Sequence, residues 1–87
     1  MKKKIAKVFV NGKCQGDAVY KRGKVTIPLH LEKGENNVEL FIPMSQEKFA
    51  QSIAEAFDFV SKDPVLVVKE PENDESVIVR GVVYDKE

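Results

Sequence analysis

The sequence has little of the chemistry that most catalytic and metal sites require. Its 87 residues include one cysteine, Cys14, one histidine, His30, and no tryptophan. A disulfide needs two cysteines, and a zinc site needs about four Cys, His or acidic ligands, so neither is expected. The glycines occur singly, which argues against a phosphate-binding glycine loop. We therefore expect no enzyme activity, no catalytic residue, no metal and no cofactor.

A thiol nucleophile with a histidine base would have to combine Cys14 with His30. The strand pattern described below places Cys14 on the buried face of a sheet, near Phe9 and Leu31, and His30 on the opposite face. Side chains on opposite faces of one sheet cannot exchange a proton directly. Cys14 is therefore interpreted as a small buried apolar residue, and His30 as a solvated residue paired across strands with Glu39.

Long apolar runs are also missing. No stretch approaches the roughly 18 residues that cross a membrane, and the basic amino terminus does not precede a signal-peptide core. Together with the absence of a disulfide framework, this predicts a cytoplasmic protein without membrane contact. Apolar residues make up 43% of the chain, enough for one modest core, so residues 1–87 are expected to form a single domain.

Turn signals and alternating apolar residues predict an α+β fold. Asn11-Gly12 and Arg22-Gly23 suit two-residue hairpin turns, in which both positions adopt positive φ. Ser45 is expected to cap a helix over residues 48–61. Its apolar stripe, which should cover the apolar face of the sheet, is formed chiefly by Phe49, Ile53, Phe57 and Val60. The predicted architecture is a four-stranded antiparallel meander, one amphipathic helix packed on its apolar face, and a C-terminal β-hairpin, in the order ββββαββ. The expected strands are residues 5–10, 13–20, 24–31, 38–42, 65–68 and 77–84.

Counting outward from the two turns divides the strands of the meander into two faces. The face opposite the core is expected to carry Val8, Val10 and Phe41, which are more apolar than a solvated surface requires. Either the two C-terminal strands fold over this side, or isolated apolar residues are tolerated there, or the face is a contact surface. Pro28 conflicts with this pattern, because proline within a central strand removes a hydrogen-bond donor. Either the third strand is interrupted there, or the strand order differs. The face expected to be buried contains Ile5, Phe9, Cys14, Gly16, Ala18, Tyr20, Val25, Ile27, Leu29, Leu31, Val38, Leu40 and Ile42.

The formal net charge of zero is unevenly distributed. Residues 1–34 hold nine Lys and Arg against two acids, whereas residues 35–87 hold five against twelve. The basic part either forms a surface for a polyanion or is neutralised where the two halves touch. The scarcity of arginine and of interleaved aromatics makes any nucleic-acid binding sequence-tolerant. Such a site would use the basic residues at the hairpin ends: Lys13, Lys21, Arg22 and Lys24.

These observations lead to two functional hypotheses. Balanced charge, missing catalytic chemistry and an unusually apolar second face favour a small non-enzymatic binding protein of the adaptor or inhibitor type. It would act through protein–protein contacts or self-association, for instance as a homodimer, and the expected contact residues are Val8, Val10 and Phe41. The alternative is a nucleic-acid-binding regulator that uses the basic N-terminal third.

Overall fold

A computed structural model describes residues 2–60, 65–71 and 75–85. These residues form a mixed α+β fold in which every described strand pair is antiparallel and one α-helix is short. The predicted α+β class with a mostly antiparallel sheet and one helix is therefore confirmed. The strands are β1 (Lys2–Val10), β2 (Lys13–Lys21), β3 (Lys24–Thr26), β4 (Gly34–Pro43), β5 (Val68–Pro71) and β6 (Ser76–Asp85), and the helices are a 3-10 helix (Met44–Phe49) and α1 (Ala50–Val60).

The described strands form one six-stranded sheet in the order β3-β2-β1-β4-β6-β5. The predicted meander, in which β3 would lie beside β4, is wrong. Instead β4 pairs with β1, and residues 27–33 lead the chain from β3 at the edge to the start of β4. Three hairpin-linked strands followed by one that returns beside the first form a Greek key. The C-terminal hairpin joins the sheet through β6, which pairs with β4 along its whole length.

The interruption of the third strand at Pro28 is one cause of this order. β3 ends at Thr26, and the segment that contains Pro28 has no regular secondary structure. Proline cannot donate to a strand ladder, so pairing of β3 with a further strand is not supported there. The segment keeps its apolar alternation, and its inward residues pack against the core without belonging to a strand: Ile27, Leu29 and Leu31.

Two β-bulges decide which residues of β1 and β2 face the core. β2 contains one extra residue, Gln15, and β1 contains one extra residue, Ile5, relative to the partner strand. Gly16, next to the first bulge, has a φ of +119°, a conformation that residues with a Cβ rarely adopt. One extra residue exchanges the two faces of a strand, because side chains alternate with a period of two.

The bulge at Gln15 reverses the predicted faces of β1. Val8 and Val10, expected on the solvent side, are 0% and 2% exposed. Phe9 and Cys14, expected in the core, pair with each other on the other side, where Phe9 is partly exposed and Cys14 is exposed. The assignment was wrong here because counting from the turn assumed an uninterrupted ladder.

The core lies between one face of the sheet and α1. Ile53 and Phe57 of α1 are fully buried there, and the Phe57 ring packs on Gly81 of β6. A Cβ added at Gly81 would lie 3.3 Å from this ring, so the glycine permits the close approach of helix and sheet. We call this side of the sheet the inner face; its buried strand residues include Val8, Val10, Val38, Leu40, Ile42, Val79 and Val83.

Three boundaries differ from the prediction. Ser45 is not a helix cap but lies within the 3-10 helix, which follows Pro43 without a side-chain cap hydrogen bond. Residues 65–67 are not in a strand, and Leu66 is 70% exposed instead of being covered on both sides. The predicted helix end near residues 61–64 lies outside the described residues.

Asn36 is a fully buried polar residue at the end of the Greek-key connection. Its amide nitrogen donates to the carbonyl oxygens of Glu32 (2.7 Å), Gly34 (3.0 Å) and Val83 (3.3 Å). Its Oδ1 accepts hydrogen bonds from the Glu32 N–H (2.8 Å) and from Asn11 Nδ2 (3.2 Å). Burial of an amide is tolerated when its polar atoms are paired, and these bonds join the connection to the first hairpin turn and to β6.

Candidate interaction surfaces

The side of the sheet opposite the inner face carries a pair of phenylalanines at its centre. Phe9 of β1 and Phe41 of β4 lie on the two middle strands, and their ring centroids are 5.3 Å apart at an interplanar angle of 75°. This edge-to-face geometry is favourable for aromatic pairs. Both side chains remain partly exposed. We call this side the outer face; it also carries Lys4, Lys7, Asp17, Glu39, Glu70, Ile78, Arg80 and Val82.

A ladder of opposite charges crosses the outer face beside the two rings. Arg80 Nε lies 2.9 Å from Glu39 Oε2, and its Nη1 contacts Glu70. The hydrogen bond to Glu39, followed by that to Glu70, raises the pKa of Arg80 above its usual value. On the other side of the rings, Lys4 Nζ lies 3.7 Å from Asp17 Oδ2. Each of these three ion pairs joins residues of the same half of the chain, so they do not neutralise one half against the other.

Two shallow depressions of about 360 Å³ each lie on either side of the phenylalanine pair. The first is bounded by Lys4, Lys7 and Phe41, where the bulge at Ile5 bends β1. The second is bounded by residues of the other end of β4, by the exposed Leu66 and by the partly buried Val82. The outer face therefore has two aromatic rings between two concave areas.

Of the three residues predicted to form a protein contact, only Phe41 lies on this face. Val8 and Val10 are core residues, and we correct their assignment as contact residues. The aromatic partner that sequence counting missed is Phe9. A glycine inside a strand often marks a bulge, so Gly16 is the signal that could have moved Phe9 to the outer face.

The residues predicted to contact nucleic acid separate into two groups. Lys13 follows the first hairpin turn, whereas Lys21, Arg22 and Lys24 surround the second. The two groups lie at opposite ends of β2. These ends are about 26 Å apart, because they are separated by eight residue steps of about 3.3 Å each. The second group meets two lysines of the basic amino terminus, since Lys21 pairs with Lys2 and its neighbour Tyr20 pairs with Lys3. We call Lys2, Lys3, Lys21, Arg22 and Lys24, all exposed, the basic corner.

Cys14 and His30 are both exposed. The prediction that Cys14 is buried is wrong, because the bulge at Gln15 places it on the outer side with Phe9. The predicted pairing of His30 with Glu39 is also wrong, since Glu39 pairs with Phe9 and Arg80. Within the described part of the chain, no group of three His, Cys, Asp or Glu residues is arranged to hold a metal ion.

Comparison with known proteins gives no family assignment: no protein-family model, curated protein or solved structure matches the chain. Among the residues that the structure describes, no helix has the length and apolar character needed to cross a membrane.

Proposed function

We propose that the protein acts by protein–protein contact through the outer face, without a catalytic step, and that a second copy of the chain fits this face. The observation that carries the proposal is the partly exposed pair Phe9 and Phe41 on the two central strands. Aromatic side chains near the centre of a surface contribute strongly to protein interfaces when they become fully desolvated.

The charges around the two rings favour a second copy over a strongly acidic or basic partner. The central part of the outer face carries three cations and three anions, whereas Lys2, Lys21, Lys24 and Glu35 lie toward its ends, so the central parts of two such faces can meet without net repulsion. The chain as a whole has zero formal charge, which removes the long-range repulsion that keeps charged proteins apart. The six charged residues are Lys4, Lys7, Arg80, Asp17, Glu39 and Glu70.

The shape of the outer face also favours a second copy of the chain as the partner. In a two-fold symmetric contact both copies use the same surface. If residue i of one copy contacts residue j of the other, residue j of the first copy contacts residue i of the second. The Phe9 and Phe41 rings of one copy can pack against one depression of the other copy, and the rings of the second copy then pack against the equivalent depression of the first. Sheets that pack face to face interleave their side chains at a separation of about 10 Å.

The size of the face sets the expected affinity. Its four long strands have nine or ten residues each. At about 4.8 Å between strands and about 3.3 Å per residue they present an area of about 600 Å². Stable interfaces bury about 800 Å² per partner, so this dimer is expected to be weak and to form at micromolar or higher concentrations.

Sedimentation velocity over about 10 to 500 μM tests the proposal, since this range covers the weak association expected for a small interface. The unchanged chain should move from monomer to dimer with rising concentration. The double variant Phe9→Ser, Phe41→Ser should dimerise at least about tenfold more weakly, because it removes both aromatic anchors.

The matched control is Leu29→Ser, which removes a partly buried apolar side chain from the inner side of the fold. It should lower the free energy of unfolding but leave the dimerisation constant unchanged. Equal weakening of dimerisation in the control and the double variant, or a monomer at every concentration, would contradict the proposal.

A further inference from the structure

The basic corner contains like charges placed directly opposite each other. Lys2, Lys21 and Lys24 occupy paired positions on three adjacent strands, β1, β2 and β3. Like charges at paired positions destabilise a sheet. No ion pair involving these three lysines is described within residues 2–60, 65–71 and 75–85. The arrangement therefore carries a local electrostatic cost that a bound anion would remove.

Protection of the sheet edge accounts for only part of this cluster. β3 is a short edge strand, and lysine on such a strand discourages pairing with another sheet. Lys2 and Lys3 are on β1, which is an interior strand of the sheet, so edge protection does not explain them.

Two partly exposed aromatic rings lie at the same end of the sheet as the basic corner, on the inner side with Lys3, whereas Lys2, Lys21 and Lys24 lie on the outer side. Tyr20, which pairs with Lys3, packs on Phe49 with ring centroids 5.0 Å apart. The Lys48 ammonium lies 5.5 Å from the centre of the Phe49 ring. Lys48 belongs to the acidic part of the chain, yet the fold brings it to the same end of the sheet as the basic corner. Cations beside aromatic rings are the combination that proteins use to bind single-stranded nucleic acids.

We propose that single-stranded nucleic acid passes around this end of the sheet, with its phosphates on the lysines of the basic corner and its unpaired bases on Tyr20 and Phe49. Bases within a duplex are stacked on each other and cannot reach these rings, so a single strand binds more tightly than a duplex. Binding tolerates different sequences, because every base presents a π-face and the lysines contact phosphates. The inference does not depend on dimerisation through the outer face.

Fluorescence anisotropy with a labelled oligothymidylate measures this binding directly. The variant Lys21→Glu, Lys24→Glu removes two phosphate contacts at the basic corner. At 0.1 M salt its affinity should fall about 25-fold or more, and the slope of log K against log salt should decrease in magnitude by about 1.4.

The matched control is Lys13→Glu, Lys33→Glu, which makes the same change in net charge away from the basic corner. Both residues are exposed, and both lie toward the end of the sheet with the first hairpin turn. This variant should bind with the affinity and salt slope of the unchanged chain. Equal losses in the two variants, or no binding of the unchanged chain at about 50 mM salt, would overturn the proposal.

Two competitors separate nucleic acid from other sources of phosphate. Unlabelled oligothymidylate should displace the probe at lower concentration than inorganic polyphosphate of equal length, since polyphosphate has no base to stack. A duplex of the same length should also compete less well than the single strand. Equal competition by polyphosphate would show that the basic corner recognises charge alone. Equal competition by the duplex would exclude base stacking on the two rings. Either result contradicts the proposal.

Discussion

The two faces of the sheet carry large apolar side chains in different surroundings. On the inner face, Leu40 and Ile42 are fully buried in the core, to which α1 contributes Phe57. On the outer face, Phe9 and Phe41 contact each other but keep part of their surface in solvent. Burial of the inner residues stabilises the monomer, whereas the remaining exposed area of the outer residues can be buried only by a partner.

The comparison also separates two kinds of polar residue. Asn36 on the inner face has its amide paired with protein groups and joins three segments of the chain. Arg80 on the outer face is partly exposed and forms ion pairs with neighbouring strands. A buried amide that loses its partners has no water to replace them, whereas an exposed guanidinium does. Substitutions on the inner face should therefore affect folding, and those on the outer face should mainly affect association.

The largest expected difference is between two consecutive residues, Leu40 and Phe41. Leu40→Ala should lower the free energy of unfolding by about 2 to 5 kcal/mol, because it leaves a cavity in the core. Phe41→Ala removes a larger side chain but should cost only about 1 to 2 kcal/mol, since that side chain is partly exposed. Urea unfolding at low micromolar concentration, where dimerisation is negligible, gives both values. A greater loss for Phe41→Ala would show that the outer face is buried within the monomer.

Local features of this fold could be predicted from the sequence because a few adjacent residues determine them. Asn11 and Gly12 have φ of +51° and +83°, and Arg22 and Gly23 have φ of +50° and +81°, as the two predicted hairpin turns require. The apolar stripe of the helix predicted Ile53 and Phe57 as core residues, and both are buried. These signals depend on backbone sterics and helical periodicity alone.

The strand order and the outer face depend on contacts between distant residues and could not be derived in the same way. The apolar alternation of β4 is compatible with pairing to β3 or to β1, and only the interruption at Pro28 indicated that the first arrangement could fail. One extra residue at Gln15 then moved Val8 and Val10 into the core and Phe9 to the outer face. Half of the central aromatic pair, Phe41, was identified from the sequence, because β4 contains no bulge relative to β6.

Asn36→Ala tests the polar contribution to the inner face and should have an intermediate effect. The substitution leaves the N–H and carbonyl of Glu32 without their side-chain partner in a partly buried setting. We expect the free energy of unfolding to fall by about 1 to 3 kcal/mol. Asn37→Ala is the matched control, because Asn37 is exposed and its described hydrogen bonds with Asn11 use only its backbone. Equal urea midpoints for the two variants would show that the Asn36 hydrogen bonds do not stabilise the fold.

The smallest effect is expected for the ion pairs on the outer face. Arg80→Gln removes the charge between Glu39 of β4 and Glu70 of β5, leaving two carboxylates on either side of β6 without this cation. Stability should fall less than for Asn36→Ala, because solvent screens exposed charges. The loss should disappear at about 1 M salt, where the Debye length is about 3 Å.

The matched control is Lys7→Gln, which makes the same charge change on the same face. No ion pair is described for Lys7, so this variant should leave the urea midpoint unchanged at either salt concentration. A loss for Arg80→Gln that persists at high salt would mean that packing of the arginine stem, and not its charge, supports the outer face.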